Sequence, residues 1–162
     1  MLTRKKKSIV LLHGDFDKTF FDELQRRKLK DIFMLEGRPD LNAVRVNARE
    51  LLKRKIKPTL IADNMAGFLF LKNLVKEVWL AYQFADHNGA VCRIGSLILG
   101  VLGKRHNVCV NVYTAKGKTR FIGKQRDIFY FNGIRVAPAG IKGYVPLVEW
   151  VPKKYITKIY EQ

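Results

Sequence analysis

Pro58–Gly67, with the sequence PTLIADNMAG, is the stretch that decides the fold. Its short apolar run ends in Asp63-Asn64, where a helical pattern begins, as is typical of a buried parallel strand that leads into a helix N-terminus. Open α/β sheets bind their ligands at the carboxyl ends of such strands. Because the same alternation recurs along the chain, we expect one layered domain built around a small-molecule crevice.

The alternation predicts a series of strands with helices between them. Strands are expected at residues 8–12, 31–36, 59–62, 76–82 and 107–113, and helices through Phe20 to Leu29, at 41–55, 65–74 and 93–105, and from Pro152 through Tyr160. Residues 83–91 are predicted to be a polar link and 114–125 a loop or hairpin. The short connections predict a Rossmann-like, doubly wound, mostly parallel sheet with helices on both faces. We expect residues 1–7 to be a basic N-terminal segment and 8–162 a single domain.

Capping residues and a missing motif refine this prediction. Asp15 or Asp17 is predicted to cap the first helix and Asp40 the second, because a carboxylate there accepts a hydrogen bond from the first turn. No GxGxxG follows the first strand, so a dinucleotide is not favoured and no cofactor is expected.

The net charge of +17 is the abnormal feature of the composition, with 31 Lys and Arg residues against 14 acidic ones. Residues 104–126 contain seven basic side chains and no acidic one, and further clusters lie at residues 4–7 and 53–57. A field of this sign attracts phosphates, nucleic acid, anionic membranes or an acidic partner protein. The alternative interpretation is a solvated, lysine-rich surface.

The apolar runs and the cysteines bear on location. No run approaches the roughly 18–20 residues that span a bilayer, and the apolar run that follows the basic start is too short for a secretory signal. We therefore expect a cytoplasmic protein without membrane contact, in which Cys92 and Cys109 are free thiols. No Cys/His pair has zinc spacing, so no metal is expected.

A series of motifs in a fixed order resembles a known family. These motifs are His13-Gly14-Asp15, Glu36-Gly37-Arg38-Pro39, Asp63-Asn64-Met65-Ala66, Asn88-Gly89-Ala90-Val91, Arg93-Ile94-Gly95-Ser96, Gly133-Ile134-Arg135-Val136-Ala137-Pro138 and a tail from Trp150 to Thr157. Together they resemble the C-terminal domain of the family that unites methylthioribose-1-phosphate isomerase, ribose-1,5-bisphosphate isomerase and the regulatory subunits of translation initiation factor 2B. The resemblance covers nearly the whole chain after the basic N-terminus, and it implies that the family's N-terminal helical domain is absent.

The resemblance implies a definite chemistry. The isomerases of this family shift a carbonyl from C1 to C2 of an open-chain sugar phosphate and use a cysteine and an aspartate to move protons. They hold the phosphate partly at a helix N-terminus, where unpaired N–H groups and the helix dipole favour an anion. Family members pair through this domain, so the resemblance also implies a homodimer.

Transferring the family's residues position by position gives a mixed result. The cysteine position falls on Gly14, and the aspartate position on Tyr82 or Gln83. Asn42 matches a glutamine that contacts substrate, and Cys92-Arg93 match an asparagine–lysine pair at the start of the phosphate-binding helix. The resemblance therefore supports the family's fold but argues against the isomerase reaction, because both proton-transferring side chains are missing at the matched positions. Each general acid–base step contributes about 10²–10⁴-fold to a reaction rate.

The candidate ligand- or phosphate-binding residues are Arg93, Cys92, Gly95, Ser96, Asn42, Arg38, Asp63 and His13. Several of them have a structural alternative. Arg93 binds a phosphate or lies on the surface, and Arg38 reaches a ligand or braces the turn at Pro39. Asp63 orients a substrate hydroxyl or caps the following helix, and His13 carries a proton or is a hydrogen-bonded structural residue.

Two further residues are candidates for a rearranged catalytic pair. A thiol at a helix N-terminus beside Arg93 would have a lowered pKa, so Cys92 is either a relocated nucleophile or an inert buried thiol. Asp86 lies three or four positions beyond the family's aspartate and is the candidate carboxylate.

Three functions follow from these patterns. The first is a non-catalytic, phosphate-ligand-binding or regulatory module that uses the old sugar-phosphate or nucleotide crevice. The second is an aldose–ketose isomerase of a phosphorylated ribose or methylthioribose that uses Cys92 and Asp86. The third is a basic protein that binds nucleic acid or the ribosome.

Overall fold

The computed structural model describes residues 7–161, which form ten strands and five α-helices in an alternating order. The strands are β1 (Ile9–His13), β2 (Ile32–Leu35), β3 (Thr59–Ile61), β4 (Val75–Asp86), β5 (Gly89–Arg93), β6 (Cys109–Thr114), β7 (Tyr130–Phe131), β8 (Ile134–Arg135), β9 (Val148–Pro152) and β10 (Lys158–Tyr160). The helices are α1 (Lys18–Arg26), α2 (Asn42–Lys53), α3 (Ala66–Leu71), α4 (Ser96–Arg105) and α5 (Arg126–Phe129), with 3₁₀ turns at Asp63–Met65 and Lys153–Tyr155.

Six parallel strands form the body of the sheet, in the order β10-β6-β4-β1-β2-β3. The chain proceeds outward from β1 to β3, and then crosses to the other side of β1 to form β4. The strand order therefore reverses between β1 and β4, and the carboxyl ends of these two strands open the crevice in which doubly wound sheets place ligands. The predicted fold class is confirmed.

The alternation of buried residues along the strands explains why helices cover both faces. Ile9 and Leu11 of β1 pack in one apolar cluster with Leu99 of α4, while Val10 and Leu12 pack in the other with aromatic residues of α1. Successive side chains of a strand point to opposite faces, so both faces of β1 are buried. Helix α4 is buried on one side only, since Leu99 is 1% exposed and Ile98 is 65% exposed.

Two parts of the sheet differ from the prediction. Residues 83–91 are not a polar link, because β4 continues to Asp86 and turns at Asn88-Gly89 into β5, which pairs antiparallel with both β4 and β9. Asn-Gly is itself a strong hairpin signal. Since β5 runs to Arg93, α4 begins only at Ser96.

The C-terminal segment is the second difference. The expected helix from Pro152 through Tyr160 is a single 3₁₀ turn followed by strand β10, which pairs with β6. The Thr157 hydroxyl accepts the Val110 N–H at 2.9 Å, and the Tyr160 ring lies 5.0 Å from the Trp79 ring. These tertiary contacts favour the strand over the local helical pattern. Within residues 7–161, no helix has the length and apolarity needed to cross a bilayer.

Candidate functional site

Gly14 follows β1 directly and is the position predicted to correspond to the family's cysteine. Its φ of +98° is unfavourable for any residue with a side chain, and a Cβ built on it would lie 2.8 Å from the Cβ of Ala81 and 3.2 Å from the Ala81 nitrogen. Ala81 is fixed in the central strand β4. The backbone at this position therefore has no room for a cysteine side chain.

The two candidates for the aspartate position are both engaged in structural hydrogen bonds. The Tyr82 hydroxyl donates to the Tyr160 carbonyl at 3.1 Å, and Gln83 Oε1 accepts the Thr119 N–H at 2.7 Å. Gln83 and Ala81 line a cavity of about 10 Å³. Such a cavity holds about one water molecule, so a sugar does not fit there.

Cys92 and Asp86 do not form a catalytic pair. Cys92 lies within β5 opposite Tyr82 and not at a helix start, and burial raises the pKa of its thiol to about 12, so the predicted lowering of its pKa is wrong. Asp86 is exposed in the β4–β5 turn, where it accepts the Asn88 N–H at 2.7 Å. Four residues of strand separate Asp86 from Tyr82, which is roughly 13 Å.

Arg93 is the last residue of β5, three residues before α4, and not in the first turn of a helix as predicted. Its guanidinium donates a hydrogen bond to the Asp40 carboxylate; the Arg93 side chain is buried and that of Asp40 is largely buried. The same carboxylate oxygen accepts the Asn42 N–H at the start of α2, at 3.2 Å. The structure therefore matches the charge of Arg93 with an internal carboxylate.

The start of α4 is also occupied by a group of the chain itself. Gly95 has a φ of +97° and precedes the buried Ser96, whose hydroxyl has no hydrogen-bond partner within residues 7–161. Glu149 of β9 accepts the Leu97 N–H at 2.9 Å. A carboxylate at a helix N-terminus satisfies an otherwise unpaired N–H and the helix dipole, which is what a phosphate would do there.

His13, Arg38 and Asp63 line a different groove, of about 610 Å³, whose walls are mainly apolar side chains of α3 and α4. His13 Nε2 lies 2.8 Å from the Ile94 carbonyl, and burial lowers the pKa of the imidazole, which keeps it neutral at pH 7. The neutral ring donates from Nε2 to that carbonyl, as the structural interpretation of His13 predicts.

Asp63 does not cap the helix that follows it, so that prediction is wrong. Its carboxylate accepts the N–H groups of Gly37 and Arg38, at 2.9 and 2.8 Å. Arg38 in turn donates from its guanidinium to the Tyr130 carbonyl at 3.2 Å. Asp63 therefore holds the loop between β2 and α2, which brings Asp40 to Arg93.

A cavity of about 300 Å³ lies at the carboxyl ends of β1 and β6. It is lined by Asp15, Asn42, Val46, Lys116, Gly117, Lys118 and Thr119. Of these residues, only Asn42 was predicted as a ligand-binding residue. The sequence signal for the lysines is their position directly after the end of β6, at the same edge of the sheet as the predicted crevice.

Asp15 and the two lysines give this cavity its chemistry. Asp17, not Asp15, caps α1, which leaves the Asp15 carboxylate in the crevice. Burial raises the pKa of Asp15, while the charges of Arg93 and Lys116 act in the opposite direction. Within the described part of the chain, neither Lys116 nor Lys118 forms an ion pair, so their ammonium groups are available to an anion.

The arrangement is suited to binding. The two ammonium groups attract a phosphate. The Asp15 carboxylate accepts hydrogen bonds from hydroxyl groups, and the Asn42 amide both accepts hydrogen bonds from hydroxyl groups and donates hydrogen bonds to them. Among residues 7–161, no group of three or more His, Cys, Asp or Glu side chains is placed to hold a metal ion.

The sequence profile of the initiation factor 2 subunit family matches residues 12–160. This match confirms the resemblance inferred from the order of the motifs. Among curated proteins, the methylthioribose-1-phosphate isomerase of Acetivibrio thermocellus is 34% identical over 140 residues, which are 79% of this chain and 41% of that protein. The enzyme of the same name from Thermus thermophilus is 29% identical over 144 residues, 82% of this chain and 44% of the relative.

Solved structures share the fold. The translation initiation factor eIF-2B subunit delta from A. fulgidus superposes with a TM-score of 0.81 at 21% identity, covering 94% of this chain and 51% of that one. The 5-methylthioribose 1-phosphate isomerase from Pyrococcus horikoshii OT3 gives a TM-score of 0.80 at 22% identity, with 94% and 49% coverage. The chain thus spans about half the length of the relatives it matches.

Proposed function

This chain belongs to the initiation factor 2 subunit family, and we propose that within that family it is a non-catalytic module that binds a phosphorylated small molecule. The ligand acts by occupying the crevice, and the chain does not convert it. The chain spans less than half the length of the isomerases named above, so their activity cannot be transferred to this chain without an experiment.

The observation that supports this proposal is the steric closure at Gly14. A Cβ there would lie 2.8 Å from the Ala81 Cβ, and the adjoining space is only about 10 Å³. An aldose–ketose shift needs one group that moves a carbon-bound proton and another that handles the oxygen's proton. Burial raises the pKa of Cys92 to about 12, so its thiol is protonated at neutral pH and is not a base for the carbon-bound proton.

The 300 Å³ cavity at Lys116 and Lys118 is the proposed binding site. Lys116 donates its backbone N–H to the Asp15 carbonyl at 2.9 Å, which fixes the loop after β6 against the end of β1. In the proposed complex, the two ammonium groups bind the phosphate, and Asp15 and Asn42 bind the hydroxyl groups of the sugar. This cavity lies beside the strand-order switch point between β1 and β4, the region where doubly wound sheets bind ligands.

A homodimer and a cytoplasmic location are also part of this proposal. Exposed apolar side chains on α3 and α4, among them Phe68, Leu71 and Ile98, support pairing with a second copy.

The Lys116→Met/Lys118→Met variant tests the site. Calorimetric titration with methylthioribose 1-phosphate and ribose 1,5-bisphosphate is expected to show binding to the natural chain and at least tenfold weaker binding to the variant. Each hydrogen bond to a charged group contributes about 1.5–3 kcal/mol, which is the basis of that estimate.

The matched control is Lys30→Met/Lys76→Met, which removes two exposed ammonium groups at the opposite, amino-terminal edge of the sheet. It is expected to bind like the natural chain. Absence of binding at millimolar ligand, or equal weakening in both variants, would contradict the proposed site.

A further inference from the structure

Residues 116–144, here called the basic lobe, lie between β6 and β9 and contain seven Lys and Arg residues against a single acidic one, Asp127. All seven basic residues are exposed. The lobe is joined to the sheet by an antiparallel ribbon, in which the Gly123 N–H donates to the Val145 carbonyl and the Leu147 N–H donates to the Phe121 carbonyl, each at 2.8 Å. The lobe is therefore a positively charged surface on an ordered base.

Exposed aromatic rings lie among these charges. Phe121 is 68% exposed and Tyr144 is 79% exposed, while Tyr130 and Phe131 are each 44% exposed. Clusters of solvent-exposed aromatic rings often mark binding surfaces, because burying a ring is favourable. Rings on a cationic surface offer faces on which unpaired bases stack.

Guanidinium groups and rings are in direct contact across the lobe. The guanidinium carbon of Arg38 lies 4.9 Å from the centre of the Phe131 ring, and that of Arg135 lies 5.4 Å from Phe129 and 5.7 Å from Tyr130. In each pair the guanidinium lies over one face of the ring. A phosphate and its base could therefore be bound by neighbouring groups.

A groove of about 380 Å³ lies beside Tyr130. Its lining includes Arg38, Asp40, Arg120, Lys124, Arg126 and Asp127. In the described part of the chain, Arg120, Lys124 and Arg126 form no ion pair, and Asp40 already pairs with Arg93. Even with Asp127 at its edge, the groove has an excess of positive charge, and its Asn42 and Asn132 amide groups donate and accept hydrogen bonds.

We propose that the basic lobe binds single-stranded nucleic acid, with phosphates in the groove at Arg120, Lys124 and Arg126 and bases stacked on the exposed rings. The lobe complements such a strand in both respects, because the strand alternates negative charges with flat apolar faces. A duplex offers the phosphates but keeps its bases stacked on each other. An acidic peptide offers the charges but few flat faces.

Fluorescence anisotropy with a labelled oligo(U) and a duplex of equal length tests the proposal. We expect the single strand to bind at 50 mM salt at least tenfold more tightly than the duplex. With about four phosphates engaged, log K is expected to fall against log salt with a slope of about −3.

Two variants separate rings from charges. Phe121→Ala/Tyr144→Ala, which changes only exposed side chains, is expected to weaken single-strand binding at least fivefold and to leave duplex binding unchanged, because base stacking contributes about 1–3 kcal/mol per base. Arg120→Ala/Lys124→Ala is expected to weaken the binding of both the single strand and the duplex, and to reduce the slope of log K against log salt by about 1 to 2. Lys30→Ala/Lys76→Ala, at the far edge of the sheet, is the charge-matched control and is expected to bind like the natural chain.

Three results would overturn the proposal. The first is no retention of the single strand at 50 mM salt. The second is an unchanged affinity when both rings are removed, which would reduce the interaction to general attraction between opposite charges. The third is an alternative occupant of the lobe. Equal or tighter binding to phosphatidylserine vesicles would assign the lobe to a membrane, and self-association that the ring variant abolishes would assign it to a second copy of the chain.

Discussion

Gly14→Ala is expected to lower the free energy of unfolding by about 2–5 kcal/mol. A residue with a side chain costs about 1–2 kcal/mol in a left-handed conformation, and Gly14 has a φ of +98°. Inserting a carbon into a packed core costs about 1–3 kcal/mol more, and the new Cβ would lie 2.8 Å from the Ala81 Cβ. Gly14→Cys adds a sulfur atom and is expected to be more destabilising still. Urea unfolding followed by circular dichroism measures both.

Gly67→Ala is the matched control for this prediction. Gly67 lies in α3 at an ordinary helical φ, and a Cβ there would meet no atom within 4 Å. The substitution is expected to be neutral or to stabilise by about 0.4–1 kcal/mol, because alanine restricts the unfolded chain. A Gly14→Ala protein as stable as the natural chain would show that the crevice can adopt a side chain at the family's cysteine position.

Asp40→Ala is expected to lower the free energy of unfolding by about 3–5 kcal/mol, because it leaves the buried guanidinium of Arg93 without its partner. It also removes the acceptor for the Asn42 N–H at the start of α2. The double variant Asp40→Leu/Arg93→Met replaces both charges with apolar groups and is expected to recover most of that loss.

Lys53→Ala provides the comparison for an exposed ion pair. Lys53 lies 3.0 Å from Glu50 on the surface of α2, with 68% of its side chain exposed. Its loss is expected to change stability by less than about 1 kcal/mol. If Asp40→Ala and Lys53→Ala destabilise equally in urea, the Arg93–Asp40 pair does not organise the site as described here.

The fold was predictable because its signals are local. The strands β1, β3 and β6 are short apolar runs, and each is followed or preceded by a helix. Strand β10 was missed because its partner is distant in sequence: β10 pairs with β6, and the Thr157 side chain bonds to Val110, 47 residues away. Local pattern carries no information about such pairings. The β4–β5 hairpin is local, and its Asn88-Gly89 turn was in the sequence but was interpreted as part of a polar link.

The candidate site was predictable only in part. The resemblance predicted that the family's cysteine position falls on Gly14, and the structure adds that a side chain at Gly14 does not fit. Arg93 and Cys92 were assigned to a helix start, whereas the hairpin places both in a strand. Arg93 and Asp40 are 53 residues apart, so their pairing could not be predicted from local sequence. Asp40 reaches Arg93 because Asp63 holds the loop that contains Asp40.

Lys116 and Lys118 were visible only as members of a charge cluster. Nothing in their spacing shows that the loop after β6 folds back on Asp15, because that contact is a backbone hydrogen bond between two strand ends. Seven basic residues in 104–126 predicted a charged surface, and the fold divides them. Two line the cavity at Asp15, and Arg120, Lys124 and Arg126 line the separate groove of the basic lobe.

Phosphorus NMR of methylthioribose 1-phosphate mixed with the natural chain tests most directly whether this crevice binds without converting. The predicted result is a ligand resonance that shifts or broadens with protein, returns to its free position with Lys116→Met/Lys118→Met, and gives no ketose phosphate signal above a heat-inactivated control. A growing ketose phosphate signal that depends on folded protein would contradict the account.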